Sequence, residues 1–165
     1  MKYDERMMDI RVDDLSSDQS RALVALHLAG MYATSPPEHA HPLDLSGLRA
    51  PEVTVWSAWR GDEILGILAL KMLGDSVAEL KSMRTHPSHT RQRVGSRLLE
   101  HVINEATARG VTRLSLETGS GPAFEAASSL YRSNGFIEGE AFSDYEPSDF
   151  TQFFHLRLAK LIPQP

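Results

Sequence analysis

A chain of 165 residues with 41% apolar content and a formal net charge of −5 has the size of one domain with one core, and its acidity argues against nucleic acid as a partner. It contains no cysteine, which excludes a disulfide framework, a thiolate nucleophile and a cysteine-type zinc site. No stretch approaches the ~18 apolar residues of a membrane span, and Met1 to Arg6 lack a basic region leading into an apolar one, so a cytoplasmic protein without membrane contact is expected.

In chain order, Met7 to Val12 reads as a short strand. Asp13 to Asp18 supply turn residues and an N-cap for a helix to about Tyr32, buried through Leu23, Val24, Leu26, Leu28 and Met31. His27 reads as a surface or partly buried helix histidine. Thr34 to Pro42 is too rich in proline for regular structure, and a short helix is expected from Asp44 to Arg49. Val53 to Arg60 and Glu63 to Met72 are apolar, β-branched and aromatic runs separated by Gly61-Asp62, a hairpin signal. Gly74-Asp75 turns the chain into a third strand, Ser76 to Thr85.

The stretch from Lys81 to Glu105 organises the rest. A strand ends at Ser82 to Thr85, His86-Pro87-Ser88-His89 makes a turn, and a helix opens at Thr90-Arg91-Gln92-Arg93-Val94-Gly95-Ser96. Val94, Leu98, Leu99, Val102, Ile103 and Ala106 recur at helical spacing, so one face is apolar. Arginines at a helix start oppose the macrodipole unless an anion sits there, and the exposed N–H groups favour phosphate. The helix ends at Arg109-Gly110. Val111 to Glu117 is the next strand, expected parallel to the strand before the helix. Thr118 to Pro122 is a loop, and Ala123 to Asn134 a helix stopped by Gly135. Phe136 to Phe142 and Phe150 to Ala159 close the sheet across the loop Ser143 to Asp149.

A strand running into a basic turn and an amphipathic helix, followed by Leu130-Tyr131-Arg132-Ser133-Asn134-Gly135-Phe136, resembles the GNAT superfamily of acyl-CoA-dependent N-acetyltransferases. The resemblance is sharpest over Ala78 to Phe136. The turn departs from the family's R-x-x-G-x-G/A pattern: with Gly95 as its last glycine, Thr90 stands at the usual Arg or Gln and Arg93 at the usual first glycine. The resemblance implies one domain over residues 1–165, an α/β (α+β) fold with a mixed, mostly antiparallel sheet flanked by helices and splayed to admit acetyl-CoA. It further implies that the backbone of Met83, Arg84 and Thr85 pairs with the pantetheine arm. The N–H groups of Gln92, Arg93, Val94, Gly95 and Ser96 would hold the pyrophosphate, with Arg91 and Arg93 adding charge. The segment after the first helix would lie over the acceptor.

Acetyl transfer to an amine needs the thioester polarised, the amine deprotonated and the leaving thiolate protonated. Tyr131 falls on the superfamily's proton donor; its other reading is a core ring beside Phe136. Strand alternation places Glu79, Lys81, Met83 and Thr85 on one face, so Glu79 is a candidate base close to the acetyl position, and Glu117 at the end of the next strand is another. Structural pairing with Lys81 or Arg113 competes with both roles. His39-x-His41 and His86-x-x-His89 lack a completing carboxylate or cysteine, and no metal is expected. Gly119-Ser120-Gly121 is not a nucleophile elbow, and Arg93-Val94-Gly95-Ser96 lacks the Gly-Lys-Ser/Thr of a P-loop. The expected function is N-acetyltransfer from acetyl-CoA to a small-molecule or peptide amine in a ternary complex. A non-catalytic acyl-CoA sensor is the alternative, and a surface-binding protein using the proline-rich loop a third. An exposed edge at Phe150 to Phe154 leaves room for a homodimer.

Overall fold

Strands that alternate apolar residues between two sides build one sheet, and amphipathic helices cover both of its faces. The structure, a computed structural model, describes residues 7–159; the segment Met1 to Arg6 lies outside them. Its elements are β1 (Asp9–Val12), α1 (Asp18–Thr34), α2 (Leu45–Leu48), β2 (Val53–Arg60), β3 (Glu63–Met72), β4 (Val77–Thr85), α3 (Val94–Ala108), β5 (Arg113–Gly119), α4 (Glu125–Ser133), β6 (Ile137–Glu138) and β7 (Thr151–Arg157). Single 3₁₀ turns occupy Pro37–His39, Pro87–His89 and Pro122–Phe124. The strands lie in the order β1-β2-β3-β4-β5-β7-β6. β4 and β5 are parallel, as a helical crossover requires, and every other neighbouring pair is antiparallel.

One face carries Trp56, Leu68, Leu80, Leu114 and Phe154 against Leu98, Leu99 and Val102 of α3 and Tyr131 of α4. The other carries Val55, Trp59, Ile67 and Ala69 against Leu23 and Val24 of α1 and Leu48 of α2. Full burial of a leucine such as Leu98 contributes roughly 1.5–3 kcal/mol. Ser17 caps α1 by accepting the Ser20 N–H at 3.0 Å. The buried stripe of that helix is Ser20, Leu23, Val24 and His27. Leu26, expected to face the core, projects to one side of this stripe and is 41% exposed, while His27 is buried.

The ends of elements differ from the sequence reading for local reasons. α3 begins at Val94 with Arg93 as its N-cap, because Arg91 and Arg93 both take left-handed backbone angles that keep Thr90 to Arg93 out of the helix. β6 stops at Glu138 instead of reaching Phe142. Past Gly139, whose N–H still reaches Phe153 O, His155 Nε2 binds the Glu140 carbonyl at 2.7 Å in place of a strand partner. β7 lies between β5 and β6, so Phe150 to Phe154 is no sheet edge, and Phe153 and Phe154 are buried. The edges are β1 and β6, which removes the argument for a dimer across β7.

Candidate active site

β4 pairs with β3 from Ala78↔Met72 to Thr85↔Gly66, but with β5 only at Val77↔Arg113, Ala78↔Leu114 and Glu79↔Ser115. Past Glu79 the two parallel strands part, and Lys81 to Thr85 lose their ladder partners on the β5 side. The parting holds a cavity of about 220 Å³ whose lining includes Glu79, Met83, Arg84, Glu117 and Tyr131. A second cavity of about 620 Å³, between the loops at residues 38–41 and 143–147, adjoins it, with His41 and Glu79 in the walls of both.

The expected sharing of one face by Glu79, Lys81, Met83 and Thr85 fails at one residue. Ile67 pairs with Arg84 and Ala69 with Lys81, so β4 carries one more residue than β3 here, and Ser82 sits at φ 59°. This bulge reverses the alternation. Glu79, Lys81 and Arg84 therefore share the α1 face, whereas Met83 packs into the α3/α4 core and Thr85 approaches Gly95.

The turn before α3 is made of backbone. Arg93, at φ 62° and ψ 24°, holds the left-handed conformation that glycine adopts without strain. No side chain caps the start of α3, so the first-turn N–H groups of Val94, Gly95 and Ser96 stay available to an anion. A Cβ at Gly95 would lie 3.2 Å from Leu130 Cδ2, so the close seating of α3 on α4 depends on that glycine. Gln92 Oε1 accepts a hydrogen bond from Arg60 Nη1 at 3.1 Å.

Around the cleft the polar side chains form pairs. Tyr131 is buried against Phe136 and Phe154, at ring separations of 5.9 and 6.0 Å, and burial pushes its phenol up, so it is protonated at neutral pH. Glu79, 3% exposed, accepts the Tyr145 hydroxyl at 2.5 Å and Lys81 Nζ at 3.3 Å, both on Oε2. Lys81 also donates to the Tyr145 oxygen at 2.7 Å. Burial and then the Glu79 charge push the Tyr145 phenol up. Glu117 Oε2 lies 2.6 Å from His41 Nδ1. Burial raises the Glu117 carboxyl above its usual value, against the opposing effect of His41. Burial, then the charges of Arg84 and Lys81, push His27 down to about 4, so its Nδ1 is free to accept Arg84 Nε–H at 3.0 Å.

Of the residues singled out in the sequence, Glu79, Met83, Arg84, Glu117 and Tyr131 line one cavity. Arg91 to Ser96 stand apart from it at the head of α3, and Thr85 turns to that helix. Arg113 is exposed and is not the partner of Glu117, which His41 takes instead. His41, Lys81, Tyr145 and His27 were not assigned to the site. An aromatic residue within the polar loop Ser143 to Asp149 was the one available signal, because a large ring in such a loop gains by docking on the body of the protein. Of the remaining histidines, His39 stacks on Phe150, His86 Nδ1 accepts the Ser88 N–H, and His89 binds Glu63 at 2.7 Å. Among the described residues no group of three metal-ligating side chains comes together.

The acetyltransferase (GNAT) family model matches residues 11–136. The chain is 46% identical over 154 residues to the N-acetyltransferase YedL of Escherichia coli (strain K12), covering 93% of this chain and 97% of that one. It is 52% identical over 138 residues to the N-acetyltransferase YsnE of Bacillus subtilis (strain 168), covering 84% and 91%. Its fold matches that of yncA from Salmonella typhimurium, an acetyltransferase solved with acetyl-CoA, with a TM-score of 0.69 at 19% identity over 95% of this chain and 97% of that one. The chain belongs to the GNAT family of N-acetyltransferases. No helix among the described residues is long and apolar enough to cross a membrane.

Proposed function

We propose that this N-acetyltransferase moves the acetyl group of acetyl-CoA to a small-molecule or peptide amine by direct attack, with the co-substrate between β4 and β5 and the acceptor entering from the cavity under the loops at residues 38–41 and 143–147. The observation that carries this reading is the separation of β4 from β5 after Glu79↔Ser115, which leaves a strand edge facing a cavity. The residues present fit the co-substrate. The freed edge from Met83 to Thr85 offers the ladder groups that an amide-containing pantetheine arm can pair with. The first turn of α3 offers N–H groups, with Arg91 and Arg93 nearby, for a pyrophosphate. Acetyl-CoA supplies an acyl group already activated as a thioester.

Tyr131 donates the proton that the departing sulfur takes up, a role suited to a phenol kept protonated by burial. Glu79 holds Lys81 and Tyr145 in place and Glu117 holds His41, so the loops at the acceptor side are tied to β4 and β5. Saturating acetyl-CoA, at about a hundredfold excess over its Kd, should stabilise the fold by roughly 2 to 3 kcal/mol. Release of coenzyme A thiol should then depend on an added amine. An unmoved Tm with acetyl-CoA would sink the reading. Binding without amine-dependent thiol release across a broad acceptor panel would turn it into a sensor.

A further inference from the structure

The acceptor ammonium must lose a proton before it can attack, and the sequence drew attention only to carboxylates for that task. We propose that His41, oriented by Glu117, is the general base of the transfer, an inference that rests on the N-acetyltransferase reading above. His41 Nδ1 and Glu117 Oε2 are 2.6 Å apart, the Glu117 side chain is 8% exposed and the His41 ring 41%. Ionised Glu117 has only acceptor atoms to offer, so in this pair Nδ1 carries the hydrogen and Nε2 keeps its lone pair. Carboxylate and imidazole then stand as they do in hydrolase triads, with the carboxylate fixing the tautomer and favouring the imidazolium that forms. The edge of the His41 ring against Tyr145, at a centroid distance of 5.3 Å, fixes its second side.

Position supports the same assignment. Two residues, His41 and Glu79, line both cavities, and they are the side chains placed to meet an amine passing from one to the other. Glu79 is less available to the amine than His41, because Tyr145 and Lys81 both already donate to its Oε2 and tie it into a fixed pair. In the step inferred, Nε2 of His41 takes one proton from the ammonium. The freed nitrogen forms the C–N bond as the C–S bond breaks, and the sulfur leaves with the proton of Tyr131; the second proton that the nitrogen sheds on becoming an amide restores the Tyr131 phenol, and His41 releases its proton to solvent. His41 touches Glu117 of β5 and Tyr145 of the loop before β7, and it shares the cavity walls with Glu79, Lys81 and Arg84 of β4, Lys71 of β3, His27 of α1, Tyr131 of α4, Asp144 and Glu146 of that loop, and Glu38 and His39 of its own segment.

The test uses the full chain, acetyl-CoA and a panel of primary amines: benzylamine, spermidine and an alanine-initiated tripeptide. His41→Gln should lower kcat/KM for each amine that the wild type accepts by about 10²-fold or more, with Kd for acetyl-CoA within about twofold. Glu117→Gln, which removes the charge favouring imidazolium, should move the acid limb of kcat/KM to lower pH, a change that mere loss of loop packing would not produce. Wild-type kcat/KM in His41→Gln across the pH range overturns the assignment, as does a loss matched by equal loss of acetyl-CoA affinity. Nitrogen-15 spectra of the histidine rings at pH 8, with His41 assigned by its absence in His41→Gln, decide the matter without any acceptor. The Nδ1–H form supports the proposal and the Nε2–H form rejects it. A wild type that binds no acetyl-CoA would instead refute the proposed function, leaving the ring tautomer to be read separately.

Discussion

The turn from Arg91 to Ser96 and the mouth of the cleft, the two ends of the proposed site, are built from different material. The turn is one contiguous stretch whose groups are backbone N–H, held by two left-handed residues and the start of α3. The mouth draws side chains from four places along the chain: His41, Glu79 with Lys81, Glu117 and Tyr145. A backbone site tolerates changes of side chain, as the presence of Arg93 at a glycine position illustrates. A side-chain site depends on each partner and on loops whose composition can vary without disturbing the sheet. In the proposed function the co-substrate end is thus separable from the acceptor end, and the chemistry would lie where they meet, at Tyr131.

The sharpest way to probe that junction is Tyr131→Phe. The ring contacts with Phe136 and Phe154 survive and the proton is lost. The chemical step, measured in single turnover with an accepted amine, should slow by about 10²-fold or more while acetyl-CoA affinity and Tm hold. Undiminished chemistry would reduce Tyr131 to packing.

Next in size is the acid response of the mouth. Burial pushes the His27 ring from the usual 6.5 of a histidine down to about 4 in the folded protein. The unfolded chain therefore binds the extra proton first, so this stabilisation is complete above about pH 6.5 and is lost as pH falls towards 4. The difference amounts to about 3 kcal/mol. Urea unfolding at pH 7 and pH 4 should show His27→Leu losing less stability than wild type by that order; equal losses would mean that burial does not hold the His27 ring neutral.

Tyr145→Phe removes one hydroxyl that donates to Glu79 and accepts from Lys81. Stability should fall by roughly 1 to 2 kcal/mol, by denaturant titration, with acetyl-CoA binding unchanged. Should co-substrate affinity fall with it, the two regions are coupled and the division drawn above is wrong.

The smallest effects belong to the turn. Arg93→Ala should weaken acetyl-CoA binding by about 1 kcal/mol, and by less at high salt, as a charge near a phosphate would. Arg93→Gly should recover part of that affinity, and it should change stability by no more than about 0.5 kcal/mol, because relief of the left-handed conformation is offset by a freer unfolded chain. Isothermal titration at two salt concentrations separates the charge from the backbone.

What could be read from the amino acids alone was what short range decides. The stripe Val94, Leu98, Leu99, Val102 and Ala106 made α3 legible, Gly61-Asp62 marked the hairpin, and the crossover helix made β4 and β5 parallel. The position of the turn before α3 followed, since its residues are neighbours in sequence. Tertiary structure decided the rest. Whether Met83 or Arg84 joins Glu79 depends on one extra residue opposite β3, and a bulge of that kind is set by strand pairing, not by the residues of β4. Burial of His27 and the pairing of Glu117 with His41, 76 residues away, exist because α1 and the loop after it are folded back over the sheet. Side-chain chemistry across such separations is carried by packing, and packing has no local signature in the chain.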